Sequence, residues 1–297
     1  PIINMKEILK KGKTKPIFSD SGEGGLTGET NLLEYKNKKY ILRKCETLSK
    51  AKYYEHLSNK FEKYGFFPKF LGRFGKNVLF EYIEGRDLKR KGEKTDYIRD
   101  IGKILGIINK FSFENRTENL FNKQLKECIS GKYEPSLKVK IARKRRNIQS
   151  KPIKVLTKTQ SKEILKKFNQ LKEKLSPKIV YECTDPTPSN FRVRNNKIYL
   201  VDIESIKPKY KGLGISKFIL EWGKTPLKKK KFIEGYKEKS NLSFFTEEYK
   251  KFIDLIFLVQ RLNFQIQTGK DYNPTIEKIN KFIWILKTPN NPQHSNS

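Results

Sequence analysis

The texture of the sequence changes near residue 95, and that change restricts the fold more than any other feature. Before it, "KPIFSDSGEGGLTGETNLLEYKNKKYILRKC" (15–45) reads as strand, glycine-rich loop, strand, a short turn at Asn37–Lys38, and strand. "TLSKAKYYEHLSNKFEKYG" (47–65) then takes helical spacing, with Thr47 or Ser49 as N-cap. Ala51, Tyr54, Phe61 and Leu57 or Ser58 share one face, and Gly65 is the stop. "FPKFLGRFGKNVLFEYIEG" (67–85) predicts a hairpin turning at Gly75–Asn77. After residue 95 helices dominate. "TDYIRDIGKILGIINKF" (95–111) puts Ile98, Ile101, Leu105 and Ile108 on one face, and further helices are expected over 161–175, 214–223, 227–240, 246–268 and 275–287. A short β insertion interrupts them: strand 178–183, loop 184–190, strand 191–194, turn at Asn195–Asn196, strand 197–201. The class expected is α+β, with a small antiparallel sheet and one helix in residues 1–84 and a larger, mostly helical region in 85–297.

Composition narrows what such a chain does. Its 297 residues suffice for one large domain or two modest ones, each with a buried core. Hydrophobic residues at 36% and aromatics at 12% lie above the range of disordered chains. No apolar run approaches the roughly 20 residues that span a bilayer, and "FIDLIFLVQ" (252–260) reads as a core helix. "PIINMKEILKKGKTK" turns charged before a hydrophobic block forms, unlike a secretory signal. Cys45, Cys128 and Cys183 are widely spaced and odd in number. That fits a reducing cytoplasm and argues against a disulfide framework or a structural zinc. His56 and His294 are the only histidines, so chemistry built on a histidine dyad is disfavoured.

The net charge is +33, from 65 Lys and Arg against 32 Asp and Glu. A field of that sign attracts polyanions and repels cations. Lysine-rich codon usage accounts for part of it, but not for the arginines of "KVKIARKRR" (138–146). From Pro135 to Lys162 there are ten Lys and Arg and no acid, which reads either as a solvated insertion or as a binding segment.

Chemistry concentrates in "YECTDPTPSNFRV" (181–193). Asp185 and Asn190 share one loop, and Pro186 and Pro188 each fix a φ angle there, lowering the entropic cost of holding it. Asp202 closes the strand of "IYLVDIES" about a dozen residues on. Phosphoryl transfer to an alcohol needs a carboxylate to orient the hydroxyl and oxygen ligands to hold Mg2+ on the phosphates. These three residues supply that set. Taken alone, an Asp and an Asn five apart would be turn residues.

This order of parts resembles the aminoglycoside phosphotransferase and choline kinase branch of the protein-kinase-like superfamily, over most of the chain. The family's loop reads approximately H-G-D-x-x-x-x-N, followed by I-D-W/F-E. "CTDPTPSN" and "LVDIES" match it at Asp185, Asn190, Asp202 and Glu204, with Cys183 standing where the histidine is usual. The resemblance implies a bilobal fold, ATP and Mg2+ as cofactors, Asp185 as the catalytic residue, and Asn190 and Asp202 as metal ligands. "SGEGGLTGET" (21–30) occupies the place of the phosphate-covering loop, through Ser21, Gly22, Gly24, Gly25 and Thr27. "YILR" stands where a basic residue grips the α- and β-phosphates, which assigns Arg43, or Lys44 on a one-residue shift. Alternation lets only one of the two face the nucleotide. Glu55 matches the glutamate that pairs with that cation. In "VLFEYIEG" (78–85) the backbone from Glu81 to Ile83 would meet adenine, and "KFIEGYKEKS" (231–240) resembles the family's F-x-x-G-Y helix.

Other residues carry plainer readings. Glu204 is a metal neighbour, a substrate contact or a capping acid. Cys183 reads as a small packed side chain, His56 as helix surface, and Trp222, Phe232 and Trp284 as core. The excess of bases over acids favours an anionic acceptor bearing a free hydroxyl. RNA comes first, such as a tRNA ribose hydroxyl, with Glu204, Arg143, Arg145, Arg146, Lys229 and Lys230 as its candidate contacts. A small-molecule kinase acting on a metabolite or an antibiotic is the alternative. A non-catalytic nucleic-acid-binding module is the third reading, against which the presence of Asp185, Asn190 and Asp202 argues.

Overall fold

The computed structural model describes residues 5–16, 30–89, 92–113, 125, 156–268 and 271–285. The chain opens with helix α1 (Met5–Lys11), strands β1 (Lys13–Pro16), β2 (Thr30–Tyr35) and β3 (Lys38–Lys44), then α2 (Leu48–Phe61). Strands β4 (Phe70–Phe74), β5 (Asn77–Glu81) and β6 (Arg86–Asp87) follow, with α3 (Thr95–Ile108) and α4 (Lys158–Leu175). Next come β7 (Ile179–Cys183), β8 (Phe191–Arg194), β9 (Lys197–Leu200) and β10 (Ile206–Tyr210). Helices α5 (Leu213–Glu221), α6 (Pro226–Lys239), α7 (Glu247–Thr268) and α8 (Asn273–Ile285) complete the described chain. Sheet and helices fall in the α+β class expected.

Two compact units emerge, Pro1–Phe113 with Val180–Leu242, and Glu114–Ile179 with Ser243–Ser297. The first holds a five-stranded antiparallel sheet in the order β1-β2-β3-β5-β4. The β2–β3 turn lies at Lys36 and Asn37, both in the left-handed region (φ 48° and 59°), one residue ahead of the position read from the sequence. Helix α1, for which the sequence offered too short an apolar pattern, seats Met5 and Ile8 against Leu33, Leu42 and Leu79 of the sheet. Thr47 caps α2 by accepting from the Lys50 amide at 3.1 Å, and both Leu57 and Ser58 join the buried face. Strands β6, β8 and β9 form a second sheet, and β10, also unread from the sequence, pairs with β7.

Helices α3 and α6 cross at glycines. A Cβ on Gly235 would collide with the Arg99 carbonyl, and one on Gly102 with the Phe232 carbonyl. Gly235 is the glycine of the F-x-x-G-Y stretch, so that motif marks a backbone-to-backbone crossing. Gly235→Ala should cost about 1–3 kcal/mol through forced separation of the helices, read as a lower urea midpoint at an unchanged m-value.

In the second unit α4 packs on α7, with Phe168 stacked on Phe252 at 5.5 Å. It starts at Lys158, three residues ahead of the start read from the sequence. Thr157 and Gln160 form a capping box that extends it there. The glycine loop and most of the basic tract, with Arg143, Arg145 and Arg146, lie outside the described residues. Among the described residues no helix is long and apolar enough to cross a membrane.

Candidate active site

The chain leaves β7 at Thr184, whose amide and hydroxyl both donate to the Ser205 carbonyl at 2.8 Å. Pro186 and Pro188 are buried, and the loop closes in a 3-10 turn over Pro188–Asn190. The Asn190 amide donates to the Thr187 carbonyl at 3.0 Å, and the Val201 amide donates to the Asn190 carbonyl at 2.9 Å. The loop is therefore tied at its start, across its bend and to the strand behind it.

Asp185 sits inside these ties with both carboxylate oxygens engaged. Asn190 Nδ2 donates to Oδ2 at 3.0 Å and to the Asp185 carbonyl at 2.7 Å. Lys217 Nζ, from α5, donates to Oδ1 at 2.7 Å. The Asp185 side chain is still 39% exposed, so a hydroxyl has room to approach it. Asp202 heads a second 3-10 turn, Ile203–Ser205, and its Oδ1 accepts from the Glu204 amide at 3.2 Å.

Arg43 reaches this turn from β3. Its guanidinium is buried, donates through Nη2 to the Val201 carbonyl at 3.3 Å, and lies 3.5 Å from Asp202 Oδ1 and 4.0 Å from Glu204 Oε2. The Tyr54 ring lies 5.7 Å from its centre, and Lys50 bonds Glu204 at 3.4 Å. Burial works against the Arg43 charge, and Asp202, Tyr54 and Glu204 more than offset it, so its pKa is raised.

Arg43 is buried beside Asp202 and Glu204, whereas Lys44 is exposed on the other face of β3. The structure corrects the reading of Glu55. That carboxylate pairs with Arg73 of β4 at 2.5 Å, not with Arg43. The helix phase is the reason. Tyr54 faces Arg43, and the next residue lies about 100° further round α2. The Glu81 amide donates to the Lys69 carbonyl at 2.9 Å, and its side chain pairs with Arg194. Ile83 is buried. Lys229 and Lys230 face solvent within the first two turns of α6.

Cys183, in the histidine's place, is buried with Sγ 3.6 Å from Ser205 Oγ, and that hydroxyl donates to the Asp202 carbonyl at 2.7 Å. The thiol thus supports the Asp202 turn. Burial pushes it up to about 12, which keeps it protonated and inert.

Lys50, Lys217 and Glu182 were not singled out in the sequence, and Tyr54 only as part of the buried face of α2. Lys217 and Glu182 carried a signal: each is a charge within a run of buried residues, "GISKF" and "IVYEC". Glu182 is fully buried, and desolvation pushes its pKa up to about 7, against the amides of Gly212 and Gly214, Asn109 and Lys211. A folded-state pKa above the ordinary 4.5 means that the folded protein holds this proton more tightly. The group's stabilisation is complete below about pH 4.5 and is lost as pH rises toward 7. The difference in unfolding free energy between wild type and Glu182→Gln should therefore slope between those pH values, as urea titrations would measure.

The donor set fits a hard divalent cation. Asn190 spends its Nδ2 on Asp185, which leaves Oδ1 as the oxygen it could offer a cation, and Asp202 would add a carboxylate. Among the described residues no three Asp, Glu, His or Cys side chains gather into a self-sufficient cage. Mg2+ commonly takes only one or two protein oxygens, with phosphates and water completing its shell.

A paired carboxylate, an amide oxygen and a second acid beside a buried guanidinium make up the set that phosphoryl transfer to an alcohol would need. The sequence model for choline/ethanolamine kinase matches residues 23–286, and the chain belongs to that family. It is accordingly a kinase. Solved structures agree in fold. Choline kinase LicA from Streptococcus pneumoniae superposes with a TM-score of 0.61 at 17% identity, over 94% of this chain and 96% of that one. Choline kinase from Cryptosporidium parvum Iowa II gives 0.56 at 18%, over 96% and 92%. Amicoumacin kinase hAmiN, in complex with AMP-PNP, Ca2+ and Ami, gives 0.56 at 14%, over 97% and 95%. No curated protein sequence matches the chain significantly. The RNA acceptor expected from the charge finds no support here; family and neighbours favour the small-molecule alternative.

Proposed function

We propose that this protein transfers the γ-phosphate of ATP to a hydroxyl of a small molecule, with amino alcohols of the choline and ethanolamine type as the first class of acceptor. The observation that carries the reading is the Asp185 carboxylate, held between Asn190 and Lys217 with one side open. So held, it accepts a hydrogen bond from the incoming hydroxyl, aims the oxygen's lone pair and takes the proton as the new bond forms. Asn190 and Asp202 would hold Mg2+, which, when bound, neutralises charge on the phosphates. Arg43 grips the α- and β-phosphates from β3, with Glu204 and Asp202 fixing its fork. The backbone near Ile83 would be the adenine contact.

The test is ADP release with ATP and Mg2+ across choline, ethanolamine, spectinomycin, other aminoglycosides and total RNA, with 31P NMR of the products. Turnover with one or more small alcohols and none with RNA is the expected result. Labelled RNA with every small acceptor silent would overturn the proposal.

A further inference from the structure

We propose that Glu182 is a positioning residue that aims Lys217 at Asp185, by clamping the start of α5 to the strand that leads into the catalytic loop. The inference rests on the reading of Asp185 given above only for its kinetic consequence.

The clamp has two jaws. Glu182 Oε1 accepts from the Gly212 amide at 2.5 Å, and Oε2 accepts from the Gly214 amide at 3.0 Å. Both amides belong to the opening of α5, where N–H groups have no partner within the helix. Lys217 lies three residues after Gly214, one turn along the same face, so fixing the first turn fixes where its side chain departs. Asp185 lies three residues after Glu182 on the other arm. A single carboxylate thus sets both ends of the 2.7 Å Lys217–Asp185 contact.

The mount is rigid and close. A Cβ on Gly214 would stand 2.5 Å from the Cys183 carbonyl oxygen and 2.9 Å from Glu182 Oε2, so strand and helix meet without a spare atom. Behind the strand, Asn109 donates to the Tyr181 carbonyl at 2.8 Å and accepts from the Tyr236 hydroxyl at 2.9 Å. An acid sealed in this way is a poor device for stability, because burial opposes its ionised form. What two charge-accepting oxygens achieve, and an apolar side chain does not, is a fixed registry between two backbones.

Glu182→Gln retains the shape but presents an amide NH2 to one backbone N–H. Gly214→Ala separates strand and helix by sterics while keeping the acid. Each variant is treated with limiting acetylating reagent below its melting temperature, and Lys217 labelling is read by mass spectrometry against exposed Lys44. At pH 8, above the Glu182 pKa of about 7, loss of one charge-assisted hydrogen bond corresponds to about a tenfold rise in Lys217 labelling. Where the kinase turns over, kcat should fall by about the same factor at unchanged KM for ATP. In a Lys217→Met background, Glu182→Gln should cost no further kcat. Unchanged Lys217 labelling in whichever variant folds, or kcat losses that multiply in the double variant, would overturn the inference. A wild-type protein without phosphotransfer would instead strike at the proposed function, and the labelling result would still decide this one.

Discussion

Asp185→Asn yields a protein that folds and binds ATP yet transfers phosphate about 10²- to 10⁴-fold more slowly, the range for loss of a positioned base. The substitution conserves volume and reverses chemistry. In the wild type both oxygens accept, one from Asn190 and one from Lys217. An amide at this position has one acceptor and one donor, so whichever way it turns, its NH2 opposes another donor. It also has no basicity to offer an incoming hydroxyl. The loop's other ties, from Thr184 to Ser205 and from Val201 to Asn190, do not involve the Asp185 side chain, and thermal stability should stay close to wild type. ADP release alongside binding of a fluorescent ATP analogue separates the two effects. Wild-type turnover in this variant would remove the catalytic assignment.

Arg43→Met should be the most damaging single change to nucleotide use, and it damages the fold too. It deletes a buried cation and removes one partner from Asp202 and Glu204, which keep the Glu204 amide and Lys50 respectively. Breaking a buried pair from one side costs about 3–5 kcal/mol. The kcat/KM for ATP should fall about 100-fold, the loss expected when a charge-assisted clamp on phosphate worth nearly 3 kcal/mol disappears. Arg43→Lys restores charge without the planar fork and should fall between the two. The adjacent Lys44→Met, on the solvent face of β3, should lie within about 0.5 kcal/mol of wild type with ordinary kinetics. Equal effects at 43 and 44 would show that neither face of the strand is special.

The contrast between neighbouring residues also explains what the sequence disclosed. Strand alternation at Arg43 and Lys44 is a period of two, so one correct phase decides the pair, and the buried neighbours of β3 fix that phase. At Glu55 the same kind of reasoning failed, because a helix turns by about 100° per residue and matching by order alone does not fix which of Tyr54 and Glu55 faces the sheet. The contact within the elbow was legible because it is local: Asp185 and Asn190 are five apart, and prolines stiffen the span. Lys217 was not, being brought to Asp185 across 32 residues by the start of a helix. Its trace was a lone cation in an apolar helix, and Glu182 left the same trace in an apolar strand. Net charge pointed to an acceptor that the family match does not support. A total of +33 describes the whole surface, whereas acceptor choice is made by the few atoms around one carboxylate.

The thiol of Cys183 has a consequence for the conditions under which the protein works. It stands under the turn that carries Asp202, sealed from solvent and held in its protonated form. Peroxide and alkylating agents act on accessible thiolates. The Asp202 turn thus rests on a sulfur insulated from oxidant stress, and Cys183 should stay unlabelled by iodoacetamide in the folded protein, as mass spectrometry of the peptide would show.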